Sequence, residues 1–332
     1  MFGPFLATLL TVAAAPGERT VSVGDVPSYT FQSAPRNGVL VRSLEDLRGR
    51  PALFEFWGPR CPGCVQNAVP YGLKLQETWG EDLQVVLVEV QGAGADEAAR
   101  FALRQRWFGG RSLWTSETPF WPGGNLLPTG ALLGNQGQVL WKGNPLTQSR
   151  EIERLVAEQV RLRRAPPASA PESLRPAWSE YVRGNLGRAA QLASEAERRA
   201  LAGEPAALEL LKSGLATLRR GIDARFARVA ALAEAGFLDE ADARLDELRS
   251  GAKEDPELSA RAAQLAETWS SESTRVEREA ARKLARLLSR YFDSAGDPLL
   301  ARELVQFGEQ HPGTKAAARA ADWARLSAPA AR

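Results

Sequence analysis

The sequence predicts an α/β domain with a mixed central sheet flanked by helices, followed by an all-α domain of helical hairpins. Three observations carry that expectation. Residues 20–164 alternate short apolar, strand-like runs with stretches of helical spacing. Residues 165–176, APPASAPESLRP, hold four prolines in twelve positions, too many for a continuous helix or a central strand, and read as a linker. Residues 177–328 are rich in Ala, Arg, Leu and Glu, keep helical periodicity and carry no strand signal. At 332 residues and 36.0 kDa the chain is long enough for two such units, each with its own core.

Residues 1–15, MFGPFLATLLTVAAA, open the chain with an apolar run that ends in small residues. From Phe5 to Ala15 the run has the length of a signal-peptide core and falls short of the roughly 20 residues of a membrane span. No Lys or Arg precedes it, and Pro16 makes a cut after Ala14 more favourable than one after Ala15. Export is the expectation, with a buried or frayed terminal segment as the other reading. A retained segment would be the chain's one route to a membrane.

Pro51–Trp57 (PALFEFW) and Leu83–Val90 (LQVVLVEV) are short apolar runs between turn residues and read as buried strands. Between them, Cys64–Thr78 has helical spacing interrupted by Pro70. Ala95–Trp107 is a helix candidate with Asp96 and Glu97 in its first turn. Gly130–Leu133 and Gln138–Trp141 flank Gly134-Asn135-Gln136-Gly137 and read as a hairpin. The stretch Trp107–Trp121, with three of the nine tryptophans and two phenylalanines, reads as an insertion packed on the domain's own core. The other reading is an apolar surface on the substrate side.

The helical half contains a weak internal echo. Gly184-Asn185-Leu186-Gly187-Arg188-Ala189 aligns with Gly236-Phe237-Leu238-Asp239-Glu240-Ala241, and Gly296–Ala301 is a looser third copy. Each pairs a glycine that ends one helix with an alanine, five residues on, small enough for close packing in the next. His311-Pro312-Gly313-Thr314 followed by Ala316–Leu326 has the same form. The pattern resembles tetratricopeptide-type hairpins, although spacings of 52 and 60 residues differ from that family's 34. An irregular bundle is the competing reading.

Composition excludes several function classes. Basic and acidic residues number 17 and 15 in residues 1–165 and 25 and 25 in the remainder, so neither half has the basic excess of a nucleic-acid-binding domain. There is one histidine, His311, and there are two cysteines, Cys61 and Cys64. A tetrahedral zinc site normally takes four such side chains; only three are present, and His311 lies far beyond the two cysteines in the chain. No metal or cofactor site is expected.

The chemistry is expected at Trp57-Gly58-Pro59-Arg60-Cys61-Pro62-Gly63-Cys64, which follows a predicted strand and opens a predicted helix. A Cys-x-x-Cys pair at such a junction in an α/β domain is a strong redox signal. At a helix start the unpaired N–H groups and the helix dipole favour the Cys61 thiolate. A lower thiol pKa supplies more nucleophile and a better leaving group. Cys64, one turn further in, is expected to be more buried and to act as the resolving thiol. Pro62 and Gly63 keep the turn tight and leave little side chain over the sulfur.

With these motifs in order, residues 20–146 resemble the thioredoxin superfamily, and within it the TlpA/ResA-type redoxins of bacterial envelopes. Val23-Gly24-Asp25-Val26-Pro27 is similar to the family's opening, and Leu44–Pro51 (LEDLRGRP) to its approach to the central strand. Leu127-Pro128-Thr129 resembles the cis-proline segment, and Asn135–Gly143 (NQGQVLWKG) the closing hairpin. The resemblance implies that Pro128 is cis and faces the cysteines, with the Leu127 backbone open to a bound peptide strand. It implies that Glu55, six residues before Cys61, is a buried carboxylate that exchanges a proton with Cys64. A solvent-facing Glu55 is the alternative. Trp57 is expected beside the active-site loop, and Trp57, Arg60, Pro62, Gly63, Leu127 and Thr129 around the substrate.

Two departures stand out. Arg60 occupies the place of a second tryptophan, and its cation next to Cys61 either favours the thiolate or is simply solvated. Pro70 lies six residues after Cys64 where the family has five, which implies a helix irregularity or a shifted register. The expected activity is exchange of protein thiols and disulfides outside the cytoplasm, in the reductase direction, with an unidentified external electron donor. Apocytochrome c and other envelope proteins are the substrates the resemblance suggests. The opposite, oxidant direction stays open. A peroxidase would need Thr or Ser three residues before the attacking cysteine, where this chain has Gly58. The rival from another class is a protein-interaction module, with partners on the helical half and an inert Cys61–Cys64 disulfide. A CxxC loop is too short to be an effective staple, because the entropic gain rises with loop length.

Overall fold

The computed structural model describes residues 20–107, 111–166, 170–201, 205–293 and 299–327. The segment 1–15 read as a signal peptide lies outside them, as do Phe108, Gly296 of the third echo and the middle of the proline-rich stretch. The chain divides between Arg163 and Arg164 into two compact units.

The first unit is organised by β1 (Ala52–Trp57), whose six residues are all buried. A strand buried on both faces needs a continuous apolar run, and PALFEFW supplies one with a single acid in it. Two neighbours flank β1 directly: β2 (Gln84–Glu89), parallel to it, and β4 (Thr129–Leu133), antiparallel. A short β3 (Leu113–Thr115) runs parallel to β2 at one edge, and β5 (Val139–Gly143) closes the other edge antiparallel to β4. The order is β3-β2-β1-β4-β5, a mixed sheet as expected. Gly137, at φ 83°, makes the tight turn between β4 and β5.

Helices α1 (Val69–Trp79), α2 (Ala95–Arg104) and α3 (Ser149–Arg164) flank the sheet. Because side chains alternate along β1, Phe54 and Phe56 enter one core with Val86, Val88, Phe120 and Trp121. Leu53, Glu55 and Trp57 take the other face. Helix α2 ends three residues earlier than its periodicity suggests. Arg106 adopts a left-handed conformation at φ 61°, its amide bonds Leu103 O, and the Trp107 amide bonds Ala102 O, a Schellman stop. Strand β3 was legible to no pattern, since three residues are too few to show a period. Trp107, Trp114, Phe120 and Trp121 are all buried. That corrects the surface reading of this stretch and leaves the reading in which it packs on the unit's own core.

The second unit is helical throughout its described residues. Its helices are α4 (Arg175–Arg183), α5 (Leu186–Leu201), α6 (Pro205–Glu234), α7 (Leu238–Ala252), α8 (Pro256–Thr268), α9 (Glu272–Asp293), α10 (Leu300–Gln310) and α11 (Lys315–Ser327). The stretch read as linker reaches into this unit. Leu174 is buried in its core, and α4 starts at Arg175 with Pro176 in the first turn, where a missing N–H costs nothing. The echoed glycines end α4 and α6: Gly184 and Gly236 have φ of 90° and 81°. The paired alanines Ala189 and Ala241 are fully buried in the following helices. Glu277 of α9 accepts hydrogen bonds from the Lys315 and Ala316 amides, 2.7 and 2.9 Å, and so caps α11 from a distance in sequence that no local motif reveals. No described helix is long and apolar enough to cross a membrane.

Close backbone approach constrains this unit at Gly187. A Cβ there would stand 2.7 Å from the Asp255 amide nitrogen and 2.8 Å from Ala252 O. Gly187→Ala is expected to destabilise the helical unit by about 1–3 kcal/mol, because backbone cannot step aside. Gly308→Ala, in α10 with nothing within 4 Å of the new Cβ, is expected to stabilise it by about 0.4–1 kcal/mol. Urea unfolding followed by circular dichroism tests both, and equal effects would refute the packing argument.

Candidate active site

Strand β1 delivers the chain to Gly58, and the next seven residues turn it into a helix. The Cys61 amide bonds Gly58 O at 3.1 Å, and the Val65 amide bonds Cys61 O at 3.0 Å, so Cys61 stands at the first turn. The Cys64 amide points at Cys61 Sγ, 3.2 Å away, an N–H donor that favours a thiolate once the pair is reduced. Cys61 and Cys64 are joined as a disulfide with their Cα atoms 5.3 Å apart. Cys61 keeps 6% exposure and Cys64 none, so an incoming group can reach only the first sulfur.

The Leu127–Pro128 peptide is cis, and the Pro128 ring lies 3.5 Å from where a Cβ on Gly63 would stand. The proline thus stands in ordinary contact range of the disulfide loop. Pro62 is exposed at the rim, and Leu126, before the cis bond, is 48% exposed. Thr129 begins β4 opposite Phe56 and is buried, with its hydroxyl 3.4 Å from Gly143 O. It holds the hairpin rather than facing a substrate. Leu127 packs on the Phe54–Phe56 core.

The displaced Pro70 has a local resolution. Cys64–Ala68 form one π-helical turn, which takes up one extra residue, and α1 resumes at Val69 with Pro70 in its first turn. The irregularity is confined to the turn behind the disulfide.

Arg60 is exposed, and its partners are on Gln91: its amide bonds Oε1 at 2.8 Å and its guanidinium bonds the carbonyl at 2.7 Å. The cation therefore clamps the loop. Gln91 is itself held through its amide by Glu89 Oε1 at 2.6 Å, and its side chain lies where Gly58 would carry a Cβ. Sequence reading missed Gln91. Its one signal was position, just past the end of a parallel strand whose Glu89 pairs with Trp57. Trp57 is buried, edge-on to Trp107 and Trp114 at 5.6 and 5.8 Å. It packs within this aromatic cluster and lines a cavity with Glu89, Ala98 and Thr115.

Glu55 is 1% exposed, between Leu87 of β2 and Gly130 of β4 in register, and not solvent-facing. Among the described residues neither carboxylate oxygen has a hydrogen-bond partner. Burial pushes its pKa well above the usual carboxylate range, since a charge there would be unsolvated and unpaired. Its oxygens lie against the backbone of Gly72 in α1. The neighbouring Tyr71 donates to Ser149 O at 3.1 Å, and burial, then the carboxylates of Glu153 and Glu55, hold its phenol above the ordinary range. Gly72 and Tyr71 were not singled out from sequence.

No family model matches the chain, and no curated protein does. Among solved structures, a thioredoxin-family thiol:disulfide interchange protein from Chlorobium tepidum TLS is 18% identical over 42% of this chain and 98% of its own, with a TM-score of 0.34. A thiol:disulfide interchange protein from Bacteroides sp. is 19% identical over 42% and 91%, TM-score 0.32. The thioredoxin domain of a thiol-disulfide oxidoreductase from Bacteroides vulgatus is 17% identical over 41% and 99%, TM-score 0.32. All three cover the α/β part of the chain. In this chain that part is a mixed five-stranded sheet flanked by helices, with the Cys61–Cys64 pair at disulfide distance on it.

A raised Glu55 pKa means that the folded chain holds a proton the unfolded chain releases. Its stabilising contribution is complete below the ordinary carboxylate range and is lost as pH rises through the folded value. The stability of Glu55→Gln relative to the wild type, read by urea unfolding of the oxidised proteins, is expected to grow by about 1.4 kcal/mol per pH unit above about pH 5. A difference independent of pH would show that Glu55 ionises as freely in the folded state as in the unfolded one.

Proposed function

We propose that the protein is an extracytoplasmic thiol–disulfide oxidoreductase that reduces disulfides of other proteins. The observation that carries this reading is a disulfide at a helix start whose reachable sulfur belongs to Cys61, in a loop approached at Gly63 by a cis-proline. In the reduced enzyme the Cys61 thiolate attacks one sulfur of a substrate disulfide. The substrate's other sulfur leaves as a thiolate and a mixed disulfide forms. Cys64 loses its proton to Glu55 and attacks Cys61 Sγ, which frees the second substrate sulfur. Two electrons have passed to the substrate, and Cys61–Cys64 is oxidised. A dithiol donor outside the cytoplasm then returns two electrons and two protons.

Peptide binding suits the rim around Pro128, where exposed Leu126 and Pro62 offer an apolar edge beside Cys61. Export is supported by the reading of residues 1–15 and by a chain whose two cysteines are the redox pair. The helical unit is read as a tetratricopeptide-like surface that selects or holds the protein partner.

Equilibrating the pair against glutathione and dithiothreitol, with alkylation of free thiols, tests the direction. A value near about −270 mV supports the reductase, whereas one near about −120 mV makes the protein an oxidant. Cys61→Ser is expected to bring insulin reduction to the uncatalysed rate, and Cys64→Ser to accumulate a mixed disulfide visible on a non-reducing gel. A Cys64→Ser variant that turns over at the wild-type rate would refute the two-step scheme.

A further inference from the structure

We propose that Gly72 is a positioning residue for this reaction: the space left by its absent side chain seats the Glu55 carboxylate where it exchanges a proton with Cys64. The inference rests on the proposed reading of Cys61–Cys64 as a redox pair with Glu55 as its proton acceptor, and extends it to a residue on a different element. A Cβ on Gly72 would stand 2.7 Å from Glu55 Oε2, 2.8 Å from Cδ and 3.0 Å from Oε1. Heavy atoms do not approach a Cβ so closely, so the carboxylate occupies the volume any other residue at 72 would fill.

Nothing else in α1 asks for glycine at that position. Gly72 lies inside the helix, four residues from its start, and lacks the positive φ that glycine tolerates best. Glycine is a poor residue for a helix interior, so here it lowers the helix's own stability. The close approach to Glu55 supplies the reason. The register partners of the acid on β2 and β4 are Leu87 and Gly130. The contact is also selective in what it would move. The clashing atoms are the end of a flexible side chain, so a methyl group at 72 displaces the carboxylate and leaves helix and sheet in place. A shorter acid would not reach Gly72.

During resolution the Cys64 S–H bond breaks, the proton passes to a Glu55 oxygen, and the Cys64 electron pair forms the bond to Cys61 Sγ as the Cys61–substrate bond breaks. Glu55 can take the proton only while ionised and within reach, so the pH at which this step accelerates reports its seat.

The reduced protein mixed with 5,5′-dithiobis(2-nitrobenzoate) in a stopped-flow instrument separates the two steps. The first thionitrobenzoate is released by Cys61 attack and the second by Cys64 resolution. Gly72→Ala is expected to leave the first phase unchanged, to slow the second about tenfold at pH 7 and to move its pH midpoint. Glu55→Asp/Gly72→Ala is expected to resolve within about threefold of Glu55→Asp alone, because the shorter acid vacates the space the methyl group fills. Wild-type kinetics and pH midpoint in Gly72→Ala would overturn the proposal. So would an equal slowing by Gly72→Ala in a Glu55→Gln background, since the effect would then bypass the acid. If Glu55→Gln itself matches the wild type at every pH, the proton-transfer role in the function above fails together with its seat.

Discussion

Burial of β1 on both faces is the constraint on which the α/β unit depends. Six residues without access to solvent must hydrogen-bond their whole backbone to neighbours, and β2 and β4 are the strands that satisfy it. Sandwiching β1 also decides where the chemistry sits. Its carboxyl end brings Gly58 and the cysteine turn to one end of the central strands, beside the end of β2 and the start of β4. Gln91 approaches from β2, and Pro128 from the segment that enters β4. The loop is therefore gripped by residues from two neighbouring strands, while its own sequence provides the turn.

The same burial makes Glu55 unusual. An acid in a fully buried strand, with no hydrogen-bond partner among the described residues, is pushed toward the neutral form by its surroundings. In a structural core such a group would be a liability. In the proposed mechanism its raised affinity for a proton is what suits it to exchange one with a thiol. The π-helical turn behind the disulfide and the glycine against the carboxylate are further departures from a regular helix in the same neighbourhood. Each is a local cost, and local costs that cluster around a reactive pair are typical of functional sites.

The helical unit follows a different logic. Three of its turns carry glycines in left-handed conformation, at 184, 236 and 313, its close contacts are made by small residues such as Ala189, Ala241 and Gly187, and α11 is capped from a distance by Glu277. Arg278 adds a two-pronged pair to Asp242 at 2.7 and 3.1 Å, partly shielded from solvent. Helix lengths vary from 9 residues in α4 to 30 in α6, so the surfaces this unit offers are uneven.

By itself the sequence determined the parts whose signal is local. PALFEFW and LQVVLVEV are strands because continuous apolar runs of that length cannot face water. The glycines at 184 and 236 end helices because their backbone conformation excludes most other residues. The CxxC turn is recognisable because helix start, proline and glycine are adjacent in the chain. Tertiary structure alone decided the rest. It made a strand of Leu113–Thr115, too short to have a period, by offering it the free edge of β2. It turned Arg60 toward Gln91 and buried Trp57 against Trp107 and Trp114. It brought Gly72 against Glu55, seventeen residues away in the chain, by laying α1 on β1. Those contacts join residues on different elements, and no pattern of neighbours along the chain records which side chain will fill the space that another leaves.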